Sequence, residues 1–211
     1  MIVAHRGNAA EFRENSIQAI RSALELGVNH IEFDVHLSED LVPMLSHDST
    51  LDRVFGVCGN VMDISSEELA KFGLARLDTV MMLVNAHKAT AFVDLKPESI
   101  ERFGNAAVVR VMNEIAGHVL VSWSLGALEF ARATYGARIG WIVPDLSAAT
   151  RRKCDLSEPD YLLCDQALIK SKLWPANWIS YEVGSRPMME RLKEYGVSYF
   201  ETMRVRELCC R

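Results

Sequence analysis

A closed (β/α)8 barrel of the TIM type is the α/β fold that this 211-residue sequence predicts, on three observations. Eight short runs rich in Val, Ile and aromatic residues alternate with longer segments whose apolar residues recur at helical spacing, the pattern of parallel strands joined by crossover helices. The composition, 49% hydrophobic and 24% charged, supports a sizeable core and excludes disorder. The first strand is followed by His5-Arg6-Gly7 rather than a glycine-rich phosphate turn, which places a doubly wound open sheet second. The length lies near the lower end for a barrel. A single domain over residues 1–211 is expected, with a small insertion at about 49–73.

The elements follow in chain order. Ile2 to His5 is a first strand, and Ser16 to Leu26 a helix ended by Gly27, as helix C-termini often are. His30 to His36 is the second strand. Val42 to His47 also reads as a strand, but only Leu37 to Leu41 separates it from its predecessor. A parallel crossover needs a dozen or more residues, so this pair is an antiparallel hairpin turning near Glu39-Asp40, which folds His47 back beside Glu32. The insertion carries a short helix, Ser65 to Phe72. Thr79 to Lys88 is helical, Ala91 to Lys96 a strand, Ser99 to Ala116 a helix before Gly117, and His118 to Trp123 a strand. Gly126 to Tyr135 is a helix closed by Gly136, and the strands Arg138 to Val143, Tyr161 to Asp165 and Trp178 to Val183 follow. Arg186 to Tyr195 is a helix before Gly196, and Val197 to Thr202 is the last strand.

Charge and cysteine usage narrow the function. Lys and Arg number 23 against 28 Asp and Glu, a net charge of -5, and no basic run exceeds Arg151-Arg152-Lys153. That balance argues against nucleic-acid or anionic-membrane partners. No apolar stretch approaches the roughly 18 to 20 residues of a membrane span. The strand-like opening Met-Ile-Val-Ala lacks the regions of a secretory leader, so stable membrane anchoring is not expected and a cytoplasmic location is. Cys58, Cys154, Cys164 and the vicinal Cys209-Cys210 form no C-x-x-C pair; they read as reduced thiols rather than disulfides or a zinc site.

The chemistry concentrates at strand ends. Strict alternation in His30-Ile31-Glu32-Phe33-Asp34-Val35-His36-Leu37 sends the apolar residues to one face and His30, Glu32, Asp34 and His36 to the other. In a barrel the two carboxylates point inward, where a hard divalent cation, Mg²⁺ or Ca²⁺, is the fitting partner. An edge strand with a solvated polar face has the same alternation. Asp94 and Lys96 share a face in Phe92-Val93-Asp94-Leu95-Lys96. They read either as a third metal carboxylate beside an anion-binding ammonium or as a structural ion pair. His5 and Arg6 end the first strand, where barrel enzymes keep their active sites, and His47-Asp48 ends the hairpin. Two histidines supply an acid and a base near neutral pH. No G-x-S-x-G elbow accompanies Ser122 or Ser124.

These motifs resemble the glycerophosphodiester phosphodiesterase family. Its H-R-G, P-E-N-T, I-E-x-D-V, H-D and E-x-K have counterparts in His5-Arg6-Gly7, Arg13-Glu14-Asn15-Ser16, Ile31 to Val35, His47-Asp48 and Asp94-Leu95-Lys96. Ser49-Thr50-Leu51-Asp52-Arg53 fits its P-T-L-x-R. The second half fits more loosely: Ser122-Trp123 stands for S-F, Tyr181-Glu182-Val183-Gly184 for W-T-V-N, and the closing T-D-x-P is absent. The resemblance implies a barrel in which Glu32, Asp34 and Asp94 hold a divalent ion. His5 and His47 act as acid and base, and Arg6 and Lys96 grip the phosphate of a small-molecule glycerophosphodiester. Cleavage to sn-glycerol 3-phosphate and an alcohol is the implied reaction. Asp94 stands for a Glu, Tyr181 for a Trp and Arg13 for a Pro, which bears on metal choice and alcohol preference more than on reaction type. The rival readings are a non-catalytic phosphate-ester-binding barrel and a lysophospholipase D-like activity on the same fold. Head group, metal identity and oligomeric state are not fixed by the sequence.

Overall fold

The structure, a computed structural model, describes residues 1–209, so the expectation for Cys210 lies outside the described residues. Its strands are β1 (Ile2–His5), β2 (His30–Leu37), β3 (Pro43–Leu45), β4 (Thr90–Leu95), β5 (Val119–Ser122), β6 (Arg138–Ile142), β7 (Tyr161–Asp165), β8 (Trp178–Tyr181) and β9 (Val197–Thr202). All but β3 are parallel neighbours in the order β1-β9-β8-β7-β6-β5-β4-β2, and pairing of Ala4 with Ile31 and His5 with Glu32 closes the ring. That closing pair excludes the open sheet. β3 runs antiparallel to the end of β2, Leu45 opposite Val35 and Pro43 opposite Leu37, as the five-residue connection requires.

Helices and strands enclose the main core, in which Ile31, Phe33, Val35 and Leu37 of β2 are fully buried. A second core fills the ring. Val3, Phe92, Val119, Val121, Ile142, Leu163 and Ile179 meet there, and toward the N-terminal strand ends His30, Phe92, Tyr161 and Tyr199 pack at 5.0–6.3 Å, edge to face except for the tilted His30–Phe92 pair. Toward the C-terminal ends the inward residues become polar. The excursion after β3 has its own small core of Met44, Leu51, Val61, Leu69 and Leu74.

The helix Ile17–Glu25 starts where Ser16 Oγ accepts the Ala19 N–H at 3.1 Å, and it buries Ala19, Ile20, Ala23 and Leu24. Its N-terminal turn lies against the loop after β1. A Cβ on Gly7 (φ 79°) would come within 2.6 Å of the Ala19 carbonyl carbon and 2.7 Å of the Ile20 nitrogen. Gly7→Ala is therefore expected to cost at least about 1–2 kcal/mol, the penalty of a left-handed L-residue before any helix displacement, read as a lower urea midpoint.

Three connections differ from the sequence expectation. The segment 99–116 is two helices, Pro97–Phe103 and Asn105–Met112, because Gly104 takes φ 57° and ψ −143° between them. Ala148–Ser157 is a helix with too few apolar residues to show periodicity; it buries only Thr150 and Cys154. Between β7 and β8 the chain makes a single 3-10 turn, Gln166–Leu168, instead of a full crossover helix.

Candidate active site

The C-terminal strand ends surround a cavity of about 250 Å³, lined among others by His5, Arg6, Glu32, Asp34, His47, Asp94 and Lys96. All seven residues singled out in the sequence meet there. Val121, Ile142, Leu163 and Tyr181 give it an apolar wall, Trp123 stands 43% exposed at its mouth, and Glu201 enters from β9.

Strand register explains the convergence. Glu32 lies opposite His5 on β1 and Phe92 on β4, and Asp34 lies opposite Asp94. Each faces the interior because the intervening Phe33 and Val93 face the helices. The Lys96 ammonium bridges the two aspartates, 2.5 Å from Asp34 Oδ1 and 2.6 Å from Asp94 Oδ2. The sequence left a metal carboxylate and a structural ion pair as alternatives for Asp94, and the ion pair is present within the cluster. Asp34 Oδ2 accepts from Asn15 Nδ2 at 2.8 Å and faces Arg6 Nε at 3.1 Å. Burial opposes ionisation of Asp34, but Lys96 and Arg6 hold it below the ordinary carboxylate range. Lys96 likewise keeps its proton against burial because both aspartates face it.

Arg6 and Asn15 reach these positions from left-handed backbone, φ 56° and 55°, a conformation costly for residues other than glycine. The Arg6 N–H donates to Glu32 Oε2 at 3.1 Å and its Nη1 to Glu14 Oε1 at 3.1 Å. Arg53 Nη2 also donates to Glu14 Oε1, at 2.7 Å, and Arg53 Nε to Asp48 Oδ2 at 2.5 Å. This network ties the loop after β1 to the loop after β3. Arg13 joins the same two regions through its 2.8 Å bond to the Gly73 carbonyl.

The two histidines sit in different surroundings. His5 is 7% exposed, with Nε2 3.8 Å from Glu32 Oε2, and burial followed by the Arg6 charge lowers its pKa to about 3. It is neutral at physiological pH. His47 is more open, and its Nδ1 lies 2.6 Å from Asp48 Oδ1. His36, fully buried, holds the His47 carbonyl with Nε2 at 3.3 Å and Ser99 Oγ with Nδ1 at 3.1 Å. It is a positioning residue.

Burial lowers the His36 pKa to about 4. Between pH 6.5 and 4 the unfolded chain binds this proton and the folded chain does not, so its contribution to stability is lost as the pH falls through that window. His36→Gln is expected to flatten this part of the stability profile, measured by urea denaturation at pH 7, 5.5 and 4; an unchanged slope would assign the acid sensitivity elsewhere.

Two ligand sets are in place. Oxygens of Glu32, Asp34 and Asp94 lie within 4.8 Å of one another, and so do donor atoms of His5, Glu32 and Glu201. Four buried carboxylates face two buried cations, Arg6 and Lys96. Burial, then the neighbouring acids, raises the Glu32 pKa well above its ordinary value and pushes Glu201 up to about 8. Asp94 Oδ1, Glu201 Oε1 and His5 Nδ1 are buried without a hydrogen-bond partner. Surplus hard oxygen donors of this kind fit a divalent cation. Sequence reasoning missed Glu201, although the alternation Tyr199, Glu201 in β9 carries the same signal as Glu32 and Asp34.

The sequence model of the glycerophosphoryl diester phosphodiesterase family matches residues 5–175. The chain is 32% identical over 109 residues to glycerophosphodiester phosphodiesterase 1 of Rattus norvegicus, covering 44% of this chain and 33% of that protein. It is 37% identical over 76 residues to a lysophospholipase D of Homo sapiens, covering 36% and 24%. These matches span a third or less of the relatives' length. In three dimensions it resembles an Oleispira antarctica phosphodiesterase solved in complex with the product sn-glycerol 3-phosphate, with TM-score 0.85 and 18% identity over 99% of this chain and 94% of that one. Among the described residues no helix is long and apolar enough to cross a membrane.

Proposed function

The chain belongs to the glycerophosphoryl diester phosphodiesterase family, and from that membership we propose that it hydrolyses glycerophosphodiesters to sn-glycerol 3-phosphate and an alcohol, with a divalent cation bound. The carrying observation is the meeting of His5, His47, Arg6, Lys96 and the acids Glu32, Asp34 and Asp94 in one cavity. The product found in the Oleispira phosphodiesterase supports the substrate class.

Arg6 and Lys96 bind the phosphoryl oxygens. Neutral His5 takes the proton of the glycerol 2-hydroxyl as that oxygen attacks phosphorus. Asp48 fixes His47 through Nδ1, leaving Nε2 to protonate the departing alcohol oxygen. Water then opens the cyclic phosphate with the two histidines in exchanged roles. Glu32, Asp34 and Asp94 would hold the divalent cation, which would supply Lewis acidity toward the attacking hydroxyl and positive charge toward the phosphoryl oxygens.

The test is to incubate the purified protein with glycerophosphocholine and Mg²⁺, Ca²⁺ or Mn²⁺ and assay glycerol 3-phosphate. Product that disappears with chelator is expected, and Glu32→Ala or Asp34→Ala should abolish the response to added metal. Phosphate-ester binding without product across several head groups would replace this reading with a binding module. Trp123 at the mouth and the human relative favour a lysophospholipid as second reading; faster release of head group from lysophosphatidylcholine than from glycerophosphocholine would select it.

A further inference from the structure

Resting on the metal-bound reading above, the donors themselves point to a residue outside the expected triad. Asp34 has both oxygens committed, Oδ1 to Lys96 and Oδ2 to Asn15 and Arg6. Asp94, one methylene shorter than the Glu expected at that position, gives Oδ2 to Lys96 and keeps only Oδ1 without a partner. Across the ring, Glu201 is 2% exposed, and its Oε1 has no hydrogen-bond partner. Donor atoms of Glu201, Glu32 and His5 lie within 4.8 Å of one another. A buried carboxylate oxygen with no donor is costly, and an apolar residue would fill the same place in the ring at no such cost.

We propose that Glu201 is a ligand of the divalent cation, so that the donor set is drawn from β2, β4 and β9 and the longer Glu201 arm supplies what the shortened Asp94 arm gives up. Glu201 thus joins Glu32, Asp34 and Asp94 in holding the ion, while Lys96 offsets part of the charge of the two aspartates.

Calorimetric titration of Mn²⁺ into the metal-stripped protein, without substrate, reads this directly. Even partners that only orient a ligand cost 10- to 100-fold in metal affinity, so Glu201→Gln is expected to weaken Mn²⁺ by at least about tenfold. The thermal stabilisation produced by Mn²⁺ should shrink in parallel. Should Glu201→Gln fail to fold, Glu201→Asp, which keeps the carboxyl group but withdraws it by one methylene, must show the same loss of Mn²⁺ stabilisation. Parent-like affinity in the Glu201 variant, with binding lost in Glu32→Gln, would overturn the role of Glu201 and leave the metal reading standing. Absence of Mn²⁺ binding in the parent protein would overturn both.

Discussion

His5→Ala and His47→Ala each lower turnover by about 10²- to 10⁴-fold, the range for removing a general acid or base, and the two losses are separable by leaving group. His5 is buried and neutral against Glu32, placed to accept a proton. His47 is held by Asp48 on one nitrogen and by His36 through its carbonyl, at the open side of the cavity. A diester whose alcohol is a nitrophenol needs no proton to depart. With that substrate the first release of nitrophenol, read in a single turnover, should recover most of its rate in His47→Ala and not in His5→Ala. Recovery in both variants, or near-parent rates with an alkyl leaving group, would remove the two-histidine assignment.

Lys96→Met leaves Asp34 and Asp94 facing each other without the ammonium that now lies 2.5 and 2.6 Å from them. Removing one partner of a buried ion pair typically costs about 3–5 kcal/mol, because the remaining charge is stranded rather than because the pair is worth that much. The loss should appear in urea denaturation of metal-free protein, and a divalent salt should return part of it by supplying positive charge to the same acids. Parent-like stability without metal would mean that one aspartate simply takes up a proton, and the returning effect of metal would vanish with it.

The barrel and most of its site were legible because both follow from period-two alternation. Glu32 and Asp34 announce themselves as acids on a strand whose other face is apolar, and the short link between β2 and β3 forces the hairpin that carries His47. What stayed illegible depends on packing and backbone geometry. The left-handed Arg6 and Asn15, joined by the Asn15 N–H to the Arg6 carbonyl, belong to backbone geometry that no pairwise spacing encodes. His36 shares a face with Asp34 in the sequence pattern, yet its role as a clamp on the His47 carbonyl exists only once Ser99 and His47 are brought to it. The polar helix Ala148–Ser157 has too narrow an apolar stripe to be seen. Glu201 lies in the half of the chain where the family motifs thin out, and only the alternation of β9 marks it.

The aromatic stack of His30, Phe92, Tyr161 and Tyr199 makes the barrel a blind well. Whatever enters past Trp123 must leave the same way, so in the proposed reaction the product and the incoming diester would share a single doorway. In the proposed reaction the glycerol phosphate end would be taken toward that floor and the alcohol half left toward the mouth. Selectivity is then expected to be stricter for the glycerol phosphate end than for the alcohol, with glycerol 3-phosphate a competitive inhibitor.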